Sequence, residues 1–149
     1  MSRLAEIPIR IETPPAGALS GPAPSGGLGG GVAALLTEIA SLLVRLAETQ
    51  LPAAIDLRSL PMSPQDRSEL QAVLGEGEVR ATIEAEGIST LRETRMSGVW
   101  WIEHRDAQGE LVAELLEIAH VPAILASATD EIAAAARTLR EHLSLGARA

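Results

Sequence analysis

The sequence has no cysteine, no phenylalanine and no tyrosine among its 149 residues, and only two tryptophans. Without cysteine the chain can form no disulfide, offers no thiolate nucleophile and cannot ligate zinc or an iron–sulfur cluster through sulfur of its own. Positive charge is scarce as well: 12 Lys and Arg stand against 20 Asp and Glu, for a net charge of −8 at pH 7 and no basic run. Nucleic acid and anionic membrane are therefore poor partners, because no cation cluster is present to displace their counterions. A basic partner fits better. Met1 to Ile11 lacks the long apolar core of a secretion signal, and no uninterrupted apolar run approaches the roughly 18 residues of a membrane span, so a cytoplasmic protein is expected.

What is present is aliphatic. Hydrophobic residues make up 46% of the chain and charged residues 21%, as in an ordinary globular domain with one core, and the apolar content is almost all Ala, Leu, Ile and Val. Both tryptophans fall in one stretch, Gly98-Val99-Trp100-Trp101-Ile102, which follows a Ser97-Gly98 turn signal and reads as a strand covered on both faces. Neighbours in a strand point to opposite faces, so Trp100 and Trp101 cannot share an environment. One is expected in the core and the other in a second layer or against a partner.

Along the chain, Ile7, Ile9 and Ile11 alternate around Pro8, giving an extended arm. The arm runs into a Pro/Gly/Ala/Ser-rich linker, and the two together occupy 1–31 ahead of a single domain over 32–145. The glycine run at 26–31 lacks the Lys-Ser/Thr pair of a phosphate loop. Val32, Leu35, Leu36, Ile39, Leu42, Leu43 and Leu46 share one stripe of a helix over about 32–49. After Pro52 comes a short extended segment at 54–57. Ser63-Pro64-Gln65-Asp66 then combines an N-cap, a first-turn proline and an acid at the third helical position, and the helix it opens stops at Gly75.

From Val79 the period changes to two. A strand through Ala85, a turn at Glu86-Gly87, a second strand to Arg95 with a bulge where alternation slips between Ile88 and Leu91, the tryptophan strand, a loop at 106–109 and a last strand through 110–120 follow in order. Ser127 or Thr129 caps a final helix whose Ile132, Ala135, Ala136, Leu139 and Leu143 are expected to face inward. The fold class is α+β: an antiparallel meander of about four strands, two N-terminal helices and a C-terminal helix. The helices can cover one sheet face, so a homodimer or another partner is expected over the second.

Chemistry-bearing residues are few. His104, His120 and His142 each stand alone, and Glu103 beside His104 points to the other face of its strand. Glu76 and Glu78 flank Gly77 on a tight turn, where a cation or acid/base role would need a third converging ligand. Asp56 and Arg58 read as an ion pair. No catalytic set, metal site or cofactor is expected, and the residues favour a non-enzymatic interaction module. Two other readings stand beside it: a carboxylate-based metal-binding protein or hydrolase using Glu76, Glu78, Asp56 and His104, and a structural dimer within a larger complex.

Four stretches in order, Ile55-Asp56-Leu57-Arg58-Ser59-Leu60-Pro61-Met62, Leu74-Gly75-Glu76-Gly77-Glu78-Val79, Glu93-Thr94 through Gly98-Val99-Trp100-Trp101, and Glu117-Ile118-Ala119-His120-Val121-Pro122, resemble the HupH/HyaF/HoxQ hydrogenase-expression family. The resemblance implies an accessory, chaperone-like role in maturing the uptake nickel–iron hydrogenase. It implies as client the precursor of the iron–sulfur small subunit, with a thioredoxin-like accessory protein as a further partner. Partner contacts are then expected at Trp100 or Trp101, with Gly98 allowing close approach and Val99, Glu93, Thr94 and His104 around them. Asp56, Arg58, Pro61, Gly75, Glu76, Gly77, Glu78 and Pro122 belong to the structural motifs.

Overall fold

A computed structural model describes residues 27–146. The expected arm at Ile7–Ile11 and most of the expected linker lie outside the described residues. Helix α1 spans Gly30–Thr49 and begins inside the glycine run rather than after it. The Gly29 N–H donates to the carboxylate of Glu69 on the next helix at 3.3 Å, which fixes the start. By length and composition α1 could cross a membrane. Here its stripe, Val32, Leu35, Ile39 and Leu46, is buried in the core instead.

Strand β1 (Ala53–Asp56) precedes helix α2 (Pro64–Leu74), and strands β2 (Arg80–Ala85), β3 (Gly87–Glu93), β4 (Val99–Asp106) and β5 (Leu111–Ile118) follow. Ser63 and Asp66 form the expected capping box: the Ser63 Oγ accepts the Asp66 N–H at 3.1 Å and the Asp66 carboxylate accepts the Ser63 N–H at 2.9 Å. The sheet order is β1-β5-β4-β3-β2, antiparallel at every pairing. Among the described residues the sheet thus has five strands rather than about four. The segment at 53–56 joins the edge of β5, with Ile55 opposite Leu116, and α2 carries the chain across to the far edge where β2 begins the meander.

The meander's registers follow from its turns. At Gly87 an added Cβ would lie 2.2 Å from the Arg105 carbonyl oxygen, so only glycine lets the start of β3 lie this close to β4. Asp106 closes the β4–β5 loop by accepting the N–H groups of Gln108 and Glu110 at 2.9 and 3.0 Å. Pairing along β2–β3 is regular, and the irregularity expected near Ile88 lies instead in β4, between His104 and Arg105.

Alternation divides the central strand between two clusters. Val99 and Trp101 point to α1 and α2 and pack with Leu116, Ile118, Leu57, Leu70 and Leu74. Trp100 and Ile102 point to the opposite face with Leu91, and Ala81, Ile83 and Leu115 pack around them. At roughly 150 to 250 Å² per indole, burial of each ring contributes on the order of 4 to 6 kcal/mol of gross transfer free energy. Beyond β5, a short 3-10 turn, Ala123–Leu125, leads into helix α3 (Thr129–Gly146). Glu131 holds the start of α3 by accepting the Ala128 N–H at 3.1 Å, in place of the expected hydroxyl cap. No residue of α3 is buried among the described residues, so the inward set Ile132, Ala135, Ala136, Leu139 and Leu143 faces solvent.

Candidate functional site

Three of the four motif stretches meet at one end of the sheet. The Gly77 N–H donates to the Glu93 carbonyl at 2.8 Å, the Arg95 N–H to the Leu74 carbonyl at 3.0 Å, and the Ala119 N–H to the Gly98 carbonyl at 2.9 Å. Those bonds join the end of α2, the β3–β4 hairpin and the end of β5. Gly77 is required by proximity, since a Cβ there would sit 2.6 Å from the Thr94 carbonyl oxygen. The hairpin is held from within: the Thr94 Oγ1 accepts the Met96 N–H at 3.1 Å, and the Thr94 N–H donates to the Val99 carbonyl at 3.0 Å. Gly98 takes φ +86°, a conformation that glycine adopts without strain. At the apex Arg95, Met96 and Ser97 are exposed.

The indoles lie beneath this apex, not on it. Trp101 is 2% exposed and its Nε1 donates to a carboxylate oxygen of Glu114 at 3.1 Å; Glu114, also 2% exposed, is paired through its second oxygen with Arg67 of α2. Trp100 is 5% exposed and donates to the Ala119 carbonyl at 3.1 Å. The Glu117 carboxylate accepts the Ala123 N–H at 3.0 Å, so the chain after β5 bends back on the side of the sheet to which Trp100 points, and Pro122 in that bend is buried. Neither ring is presented to a partner as expected, and Val99 and Thr94 are buried too. Gly98 faces Leu43 and Leu46 of α1, where a Cβ would sit at ordinary contact distances of 3.4 and 3.6 Å, so its positive φ and not the expected close approach calls for glycine.

On the helix side, Gln71, Gly75, Glu76, Arg92, Glu93, Thr94 and Trp101 line a small cleft of about 60 Å³. Arg92 lies 5.8 Å from the centre of the Trp101 ring and bridges Glu76 at 3.5 Å and Glu103 at 3.6 Å. Glu76 also pairs with Arg80 at 2.5 Å. Pro61 of the remaining motif is elsewhere. With Leu60, Met62, Val32, Leu35 and Asp66 it lines an apolar groove of about 280 Å³.

The residues of the metal or hydrolase reading are not brought together. Glu76 is occupied by two arginines, Asp56 accepts the Arg58 N–H at 2.9 Å at the end of β1, and His104 shares a 2.9 Å hydrogen bond with Ser89 on β3. Among the described residues no group of three His, Asp or Glu side chains could hold a metal ion. The expected Asp56–Arg58 ion pair is absent as well, since the guanidinium donates to the Val112 carbonyl at 2.5 Å instead. Sequence reasoning missed Glu114 and Arg67 entirely. A signal existed: Glu114 shares the parity of Leu116 and Ile118 on a strand, and so had to point at the helices.

Fold and site together define a small α+β module in which three distant segments are bonded into one rigid hairpin end. Residues 31–145 match the family described as the HupH hydrogenase expression protein, C-terminal conserved region. The chain is 32% identical over 109 residues to the hydrogenase expression/formation protein HoxQ of Azotobacter vinelandii, covering 72% of this chain and 38% of that protein. It is 29% identical over 127 residues to HupH of Rhizobium leguminosarum bv. viciae, covering 85% and 44% respectively. A solved structure of the hydrogenase expression protein HupH from Thiobacillus denitrificans ATCC 25259 superposes with a TM-score of 0.74 at 43% identity, covering 78% of this chain and 97% of that one. The chain belongs to the HupH hydrogenase expression protein family. It spans less than half the length of these two curated relatives.

Proposed function

We propose that this chain is a non-enzymatic, chaperone-like accessory protein of hydrogenase maturation, and that it binds the iron–sulfur small-subunit precursor of an uptake nickel–iron hydrogenase in the cytoplasm. A thioredoxin-like accessory protein is its second partner. Family membership supplies the hydrogenase context. The observation that carries the reading is the hairpin apex, Arg95-Met96-Ser97-Gly98, whose first three residues are exposed and which backbone hydrogen bonds fasten to two other segments, the end of α2 and the end of β5. Such a loop loses little conformational entropy on binding, because its backbone is ordered beforehand. Met96 offers an adaptable apolar contact, and Glu93 and Glu78, at the Gly77–Glu93 bond of the same hairpin end, carry charge suited to a basic client segment. Trp100 and Trp101 act in this scheme as the foundation of the apex and do not touch the client. Because the sequence has no cysteine, a cluster on the client would be shielded and not transferred through protein sulfur.

The test is capture of purified small-subunit precursor on the immobilised chain. Wild type retains the precursor, Met96→Asp weakens retention at least tenfold while the circular dichroism is unchanged, and Trp100→Phe in a folded protein retains it. No capture by wild type sinks the client assignment. Equal capture by Met96→Asp sinks the apex.

A further inference from the structure

Helix α3 carries an apolar stripe that nothing in the described protomer covers: Ile132, Leu139 and Leu143 are 57, 61 and 66% exposed. Helices in proteins draw most of their stability from packing an amphipathic face, so this stripe calls for a second surface. The pattern of the stripe says which one. Ile132, Ala136, Leu139 and Leu143 are spaced by four, three and four residues, a sequence of steps that reads the same in either direction. Those steps are the a and d positions of a heptad.

We propose that α3 pairs antiparallel with α3 of a second copy of this chain. Centred between Arg137 and Thr138, the pairing sets Ile132 against the partner's Leu143 and Ala136 against the partner's Leu139, so each small residue meets a large one. The interface is isologous and closes at two copies. The macrodipoles favour the same orientation: antiparallel packing opposes them, whereas parallel packing would align them and set Ala136 beside the partner's Ala136.

Sedimentation equilibrium of the full chain reads the assembly. Wild type reaches twice the protomer mass as concentration rises. Leu139→Asp shifts the midpoint at least tenfold upward, and Leu145→Asp, on the same helix at 68% exposure but off the stripe, leaves it unchanged. Orientation is read by disulfides, which the cysteine-free chain makes unambiguous. Mixed Ala136→Cys and Leu139→Cys proteins give the mixed disulfide in excess over either same-residue product. A chain that stays at protomer mass at millimolar concentration, Leu145→Asp as damaging as Leu139→Asp, or same-residue disulfides in equal yield would each overturn the proposal. The client test above is independent, because neither leucine lies at the hairpin apex.

Discussion

Replacing Arg67 by Met isolates the one carboxylate the fold has sealed. Glu114 is 2% exposed, whereas the Arg67 side chain that pairs with it is 29% exposed and keeps contact with water. Removing the arginine therefore strands the buried charge, while removing the glutamate strands only a half-solvated cation and the Trp101 N–H. Losing one partner of a buried pair costs about 3 to 5 kcal/mol. Urea denaturation should give a loss of about 3 to 5 kcal/mol at neutral pH. In a Glu114→Gln background, where the amide oxygen still accepts from Trp101, Arg67→Met should cost under about 1 kcal/mol. A loss below about 1 kcal/mol would refute the assignment of a dry, charge-paired Glu114.

Other consequences are as direct. Ser63→Ala removes the capping box and should cost about 0.5 to 2 kcal/mol by denaturant titration. The hydrogen bonds from Ser63 hold the Asp66 carboxyl below its ordinary 3.8, so wild type should lose that contribution as pH falls below this value and Ser63→Ala should lose less; equal acid sensitivity would contradict the pairing. Gly77→Ala pushes a methyl against the Thr94 carbonyl, and should destabilise by about 1 to 3 kcal/mol and slacken the hairpin end, seen as faster amide exchange at Arg95 and Ala119. Tryptophan emission should be blue-shifted and resist iodide in both single variants, Trp100→Phe and Trp101→Phe, because each remaining ring is sealed.

Local chemistry was legible where the signal was local. The α1 stripe, the Ser63 capping box, the Glu86-Gly87 turn and the Asp106–Gly109 loop all depend on residues within a few positions of one another, and the structure keeps each of them. The strand expected over 110–120 forms as β5, because β4 needs a partner on its free edge. Longer-range relations were not readable in the same way. Whether 53–56 joined the sheet depended on β5 having an edge at a distance of some sixty residues, and the Arg67–Glu114 pair depended on the angle at which α2 crosses that sheet.

The tryptophans and α3 show why a pattern can be right and its destination wrong. Parity guaranteed that Trp100 and Trp101 would occupy opposite faces, and they do. Two helices cover only one face, so the other had to be closed by something, and an exposed indole or a third helix both satisfied that need. The chain met it differently: Trp100 donates to the Ala119 carbonyl, and the segment through Pro122 bends back on that side of the sheet. That local closure left the amphipathic C-terminal helix without a place in its own protomer. Amphipathicity fixes that a helix has an apolar side; it does not specify whose surface that side meets. In α3 the deciding information is the symmetry of the stripe. Spacing that reads alike in both directions is indifferent for packing on a sheet, but it gives an identical helix running the other way a complete set of contacts.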